Sequence, residues 1–388
     1  HCIEHLLFKG TKKYPTQKEL AILLDSIGAE SNAFTSKEYT GYYLTAASQH
    51  FETSLEVLKE LLFYPRLRQA DLEQEKRVIS EEIKMHRDNP SHHIAFKFEQ
   101  MVYRGTGLSH DISGSEESVQ ALQIDDLKQF MNHWYGLGNM VLLLAGDKEL
   151  LSQPSCLETV KDWFNDHPQS RKNNYKVKLD QFLSESAISQ EQLHLESRET
   201  AQAQFVLGWP SIKRKDPRRF ALSVLTTIIG GNRSSRLFQE VREKLGLAYY
   251  VWADVDQYHE AGIFGAEAGV NTNQIEQAIE ATVKVFHNLA TKEQPVTEDE
   301  VKQAKSYITG RMVLGLEDSQ SVARYFGLKE LLLNEIEDPD EAMAKLKAVT
   351  VAEVQSLAAD LVQSGELRLA VIGPYQDKDR FVQFVKNY

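Results

Sequence analysis

The amino-acid sequence predicts an α+β protein, duplicated into two homologous sheet-plus-helices domains. Three observations carry this. The 388 residues exceed the ~100–200 of one ordinary domain. Paired strands followed by long helices occur twice along the chain, which is the order of an α+β unit rather than of alternating βαβ units. The run Asp71-Leu72-Glu73-Gln74-Glu75-Lys76 returns as Glu300-Val301-Lys302-Gln303-Ala304-Lys305, so the second half repeats the first.

Apolar residues at helical spacing mark 1–8 as a helix. Thr16 with Glu19 forms a capping-box pair ahead of a helix over 20–27, which Gly28 ends. Residues 29–35 and 39–46 read as a hairpin joined through Ser36, Lys37 and Glu38. Helices follow near 51–63, 69–87, 92–103 and 124–134, then a buried strand at 140–145 and a short helix at 157–165. The polar stretch 167–190 has no periodicity and reads as the linker. In the second half, helices are expected over 220–229 and 234–244, and strands over 247–256 and 262–269. Helices over 274–289, 298–314 and 319–334 come next, and a strand over 367–372 matches 140–145.

Composition narrows the function. With 42% hydrophobic and 26% charged residues the chain is not a disordered one. Its apolar stretches fall far short of the ~18 residues that cross a bilayer, so no membrane partner is expected. A net charge of −12 offers no basic face for nucleic acid, and no such partner is expected either. Cys2 and Cys156, the only cysteines, exclude a disulfide scaffold and a Cys-rich zinc module. The chain opens on His1, inside a helix and without a capping residue. This start reads as cut off, with an N-terminal strand region missing. No targeting segment is visible, and the cytoplasm is the expectation.

The opening helix carries chemistry. His1-Cys2-Ile3-Glu4-His5 is H-x-x-E-H, the inverzincin signature. Residues four apart share a helix face, so the two imidazoles can bind one Zn²⁺. Glu4, one position from His5, lies beside the place where a bound water would sit, which suits a general base. A catalytic zinc also needs a third protein ligand and an open position. The helix over 69–87 offers Glu73, Glu75, Glu81 and Glu82. Glu75 and Glu82 are seven apart, on one stripe with Leu72 and Ile79. That stripe faces inward, and inward carboxylates need a partner or a metal. Glu81 is about 100° off the stripe, given ~3.6 residues per turn. Glu82 is therefore the expected ligand, with Glu75 supporting a ligand from behind. Ala304 and Arg311 stand where these two glutamates would recur, so the second copy lacks the set. Cys2 points away from the ligand face and is expected to be buried and inert.

With these residues in place, 1–11 (HCIEHLLFKGT) with Glu75 and Glu82 resembles the pitrilysin/insulinase family of zinc peptidases. The likeness is to the mitochondrial-processing-peptidase-like branch, which has small bacterial members, and it covers nearly the whole chain. Ser31-Asn32-Ala33-Phe34-Thr35 resembles the family's substrate-binding edge strand. That implies Asn32, Ala33 and Phe34 as contacts for an extended peptide, paired through the main chain. Val78-Ile79-Ser80-Glu81-Glu82-Ile83 resembles the third-ligand segment, where the second glutamate is the ligand. Residues 230–251 (GGNRSSRLFQEVREKLGLAYYV) resemble the hallmark of the inactive second domain. The arginine and tyrosine that the family places at the active site from that domain fall on Arg242 and Tyr249. A tyrosine hydroxyl can donate to a developing oxyanion.

The resemblance implies a clamshell. An active zinc-binding domain over 1–180 would face an inactive homologous domain over 185–388 that completes the substrate chamber. The implied activity is zinc-dependent endopeptidase cleavage of extended, unfolded peptides, carried out by a homodimer. Two readings compete: a non-catalytic structural subunit of the same fold, and a presequence-processing subunit that needs a partner chain. The retained ligands and base argue against the first.

Overall fold

Local sequence signals account for the first elements of the computed structural model, which describes residues 1–165, 191–362 and 365–387, the side chains of 164, 165 and 387 excepted. Helix α1 is Cys2–Leu7, and α2 is Gln17–Ser26, opened by the Thr16/Glu19 capping box. Strands β1 (Glu30–Thr35) and β2 (Thr40–Thr45) form an antiparallel hairpin with Glu30 opposite Thr45 and Thr35 opposite Thr40. Next come α3 (Phe51–Phe63), α4 (Gln69–Asp88), α5 (Pro90–Val102), α6 (Glu116–Ala121), α7 (Ile124–Trp134), α8 (Lys148–Leu151) and α9 (Pro154–Asn165). The expected linker over 167–190 lies outside the described residues.

The second half contains β3 (Leu193–Ser197), β4 (Ala203–Ser211), α10 (Arg219–Gly230), β5 (Ala248–Gln257) and β6 (Gly262–Val270). It closes with α11 (Ile275–Ala290), α12 (Glu298–Leu314), α13 (Ser319–Leu333), α14 (Pro339–Ala348), α15 (Val351–Val362), β7 (Arg368–Gly373) and α16 (Asp379–Asn387). Strand β4 carries no apolar–polar alternation because both its faces are covered, and for that reason the sequence pattern did not reveal it. The helix expected over 234–244 is present in part as a π-helical segment, Phe238–Lys244.

Two compact units result. Of the described residues, one comprises 1–85, 111–165 and 315–336; the other comprises 86–110, 191–314, 337–362 and 365–387. No single cut along the chain separates them, since α5 belongs to the second unit and α13 to the first. The expected boundary at 180–185 falls outside the described residues.

The first unit holds the β1–β2 sheet and a core of Ile3, Leu6 and Leu7 from α1 with Leu20, Leu24, Val57, Leu61, Leu72, Leu127 and Met131. In the second, a five-stranded sheet runs β3-β7-β4-β6-β5, parallel only between β3 and β7. Helices α10, α11 and α15 share its main core, and α5 packs Ile94, Phe98 and Met101 on the other face against Ile263, Ala370 and Ile372.

One expected element is corrected. Residues 140–145 form no strand, and Val141, Leu142 and Leu144 are 38%, 40% and 37% exposed. Its counterpart β7 is buried throughout because it inserts between β3 and β4, which precede α10 in the chain. Residues 140–145 pair with no strand among the described residues. An apolar run is strand-forming only where a ladder receives it.

Candidate metal centre

The site starts on α1. Ile3, Leu6 and Leu7 are buried, which fixes the helix by its apolar side and leaves His1, Glu4 and His5 on a half-buried flank. The imidazoles of His1 and His5, one turn apart, have ring centroids 4.7 Å from each other. Across from them runs α4, whose buried stripe includes Leu72, Glu75 and Ile79. Seven residues along that helix from Glu75, Glu82 reaches the two histidines. Its Oε2 is 3.8 Å from His1 Nε2 and 3.6 Å from His5 Nε2. Among the described residues, His1, His5 and Glu82 are the one group of metal-ligating side chains found close together, their ligand atoms all within 4.8 Å. Glu81 is 74% exposed at its side chain and pairs with Lys84 instead.

This donor set fits zinc. Ligand atoms ~2.0–2.2 Å from a tetrahedral zinc lie about 3.4 Å from one another; the two Glu82 separations, 3.6 and 3.8 Å, are close to this, and all three ligand atoms lie within 4.8 Å. The second ring nitrogen of His5 is also engaged. His5 Nδ1 is 2.9 Å from Glu75 Oε2. A carboxylate only accepts, so Nδ1 carries the proton of this contact, which leaves Nε2 as the ring atom that would face a metal. Glu75 is 2% exposed and so serves His5 from the protein side. His1 Nδ1 is buried and has no hydrogen-bond partner among the described residues.

Glu4 is held from the hairpin. The hydroxyl of Thr35, at the end of β1, donates to its Oε2. The hydroxyls of Tyr42 and Tyr135 pair at 2.8 Å close by. Burial first, then Tyr135 and the charge of Glu4, push the Tyr42 phenol far above its ordinary range, so it stays protonated. Thr35, Tyr42 and Tyr135 were not singled out by the sequence. Thr35 lay inside the strand read as an edge, but no spacing rule pairs a strand hydroxyl with a residue on another element. Cys2 is half-buried, and burial pushes its thiol up to about 11.

Strand β1 pairs only with β2 among the described residues, so its other edge carries no strand. Asn32 Oδ1 accepts from the Ala33 N–H at 2.8 Å. Phe34 packs over Gly41, beside Tyr39 and Tyr43, with the guanidinium of Arg324 4.9 Å from its ring centroid. A side chain on residue 41 would run into that ring, which explains glycine there.

Arg242 and Tyr249 belong to the second unit. Arg242 lies in the π-helical segment and stacks on Phe238 at 4.8 Å. Tyr249 is the extra residue of a bulge between the Ala248 and Tyr250 pairs of β5, and it is 56% exposed. A bulge re-aims one side chain out of the ladder, and here it turns the phenol into solvent.

Residues 1–116 match the model of insulinase, peptidase family M16, and residues 121–308 match that of the peptidase M16 inactive domain. The chain belongs to the M16 family. An uncharacterized zinc protease of Streptomyces coelicolor is 32% identical over 97% of this chain and 81% of its own length. The uncharacterized zinc protease YmxG of Bacillus subtilis is 32% identical over 96% of this chain and 88% of its own. Among solved structures, a Helicobacter pylori protease has a TM-score of 0.85 at 22% identity, covering 96% of this chain and 89% of that one. An M16 inactive-domain structure from Pseudomonas fluorescens gives 0.84 at 19% identity, covering 97% and 88%. At these identities the two structures establish the M16 fold. The M16 peptidase match spans His1, Glu4, His5, Glu75 and Glu82, and the inactive-domain match spans Arg242, Tyr249 and Ala304.

Proposed function

We propose that this chain is a zinc-dependent endopeptidase for extended, unfolded peptides. The observation that carries the reading is the convergence of His1, His5 and Glu82 within 4.8 Å, with Glu4 beside them and tied to β1 through Thr35. When bound, zinc would act there as a Lewis acid toward water and the peptide carbonyl. Glu4 takes the proton from the attacking water and returns it to the leaving amine. His5 is kept in the right tautomer by Glu75. The open edge of β1 aligns the peptide by main-chain hydrogen bonds, with Asn32, Ala33 and Phe34 along it. By the family resemblance, Tyr249 would donate its hydroxyl to the developing oxyanion, and Arg242 is carried over with it as a residue of the same segment. A homodimer is part of the proposal, read by light scattering on the eluting protein.

The test is metal analysis with a peptide mixture read by mass spectrometry. About one zinc per chain is expected, with cleavage that stops on chelation and returns with added zinc. Zinc-loaded protein that cleaves no peptide would favour the non-catalytic reading instead.

A further inference from the structure

Glu75 has two oxygens, and His5 uses one. The other, Oε1, lies 2.6 Å from the ammonium of Lys9, as an ion pair rather than a directed hydrogen bond. Both side chains are withdrawn from water, 3% exposed for Glu75 and 17% for Lys9. We propose that Lys9 is a positioning residue for the metal centre: it fixes the Glu75 carboxylate so that Oε2 stays on His5 Nδ1. This rests on the zinc reading above and adds a residue to it.

The backbone around Lys9 is built to keep it there. Its N–H donates to Leu6 O at 3.1 Å, closing α1. Its carbonyl accepts from Arg68 Nη2 at 3.2 Å. Gly10 follows with φ +134, where a Cβ would sit 2.5 Å from Pro15 O, and its carbonyl accepts from Arg66 N at 3.0 Å. Gln17 Oε1 accepts from the Lys9 ammonium at 3.3 Å. An ordinary surface lysine would not be clamped on either side of its own peptide.

The chemistry follows from the geometry. A carboxylate held at one oxygen can swing about its Cγ–Cδ bond and exchange which oxygen meets the imidazole. Held at both oxygens, it has one orientation, and so has the ring that donates to it. The compensating charge also makes a carboxylate tolerable at this depth. Lys9 thus completes a relay of Lys9, Glu75 and His5 that ends on the expected metal. Partners of this kind are worth ~10–100-fold in metal affinity.

Zinc affinity should be measured by chelator competition, and the Co²⁺ absorption spectrum recorded, for wild type, Lys9→Met, Lys9→Arg, Glu75→Gln and the double variant Lys9→Met/Glu75→Gln. Lys9→Met should weaken zinc by roughly ten-fold or more and shift the cobalt spectrum, while Lys9→Arg restores most of the affinity. In the Glu75→Gln background Lys9→Met should cost little further. An affinity within two-fold of wild type for Lys9→Met would overturn the proposal. So would an equal loss with and without Glu75, since Lys9 would then act independently of the relay. If Lys9→Met misfolds, the decision passes to Lys9→Gln and Lys9→Arg by the same comparison. Wild-type protein that binds no zinc would instead remove the reading on which the proposal stands.

Discussion

The hydroxyl of Thr35, the last residue of β1, donates a hydrogen bond to Oε2 of Glu4 on α1. The strand proposed to align the peptide and the carboxylate proposed to act as base are therefore joined by one bond. Such a bond to a charged acceptor is worth ~1.5–3 kcal/mol, enough to hold Glu4 in one rotamer. Thr35→Val keeps the side-chain shape and the β-branching. It should leave zinc content unchanged and lower kcat by about ten-fold, because the base is no longer held in place. Steady-state kinetics with metal analysis check this, and an unchanged kcat would make the contact incidental.

The two adjacent glutamates of α4 separate by environment. Glu82 faces both histidines and Glu81 pairs with Lys84 at the surface. Glu82→Gln should strip most of the zinc, whereas Glu81→Gln should retain about one per chain. The reverse result would mean that α4 presents the wrong residue to the site.

How much of this could be read beforehand depended on the range of the signal. His1 and His5 are one helical turn apart, and Glu75 and Glu82 lie two turns apart on one stripe, so local periodicity sufficed to nominate them. The Thr16 capping box and the turn at Gly28 were equally local. Contacts made across elements left no such trace: Lys9 to Glu75 spans 66 positions and Thr35 to Glu4 spans 31. Strand β4 and the segment 140–145 erred in opposite directions for one reason. Both are apolar runs, and whether such a run joins a sheet depends on the neighbours that flank it. The placement of α5 and α13 in opposite units was likewise invisible, because an amphipathic helix shows that it packs, not on what.

Tyr249 lies in a bulge of β5 and faces solvent, an arrangement suited to donating outward. Removing one oxyanion donor costs ~10²–10³-fold in the best-studied case, and a metal that shares the charge lowers that cost. Tyr249→Phe should reduce kcat by about ten- to a hundred-fold, with zinc content and melting temperature unchanged. A variant as active as wild type would leave the second unit without a part in the chemistry.

Glu267 on β6 gives a pH signature independent of the metal. Burial first, then the charges of Asp254 and Asp256, push its carboxyl up to about 7. In the unfolded chain a glutamate titrates near ~4.3. Between these values the folded state binds more protons, so stability falls as pH rises through that window. Glu267→Gln removes the penalty. The variant should melt higher than wild type at pH 8 and nearly the same at pH 4. Equal melting temperatures at pH 8 would mean that the carboxylate is ionised at no cost.

Glu4→Gln tests the central claim most directly. The substitution preserves shape and touches no proposed ligand, so it separates metal binding from proton transfer. Zinc content and peptide binding should match wild type, while cleavage of a peptide mixture falls by at least ~10²–10⁴-fold, the usual loss when a general base is removed. A Glu4→Gln protein that binds zinc and still cleaves at near the wild-type rate would contradict the assignment of Glu4 as the base and, with it, the peptidase mechanism built on this centre.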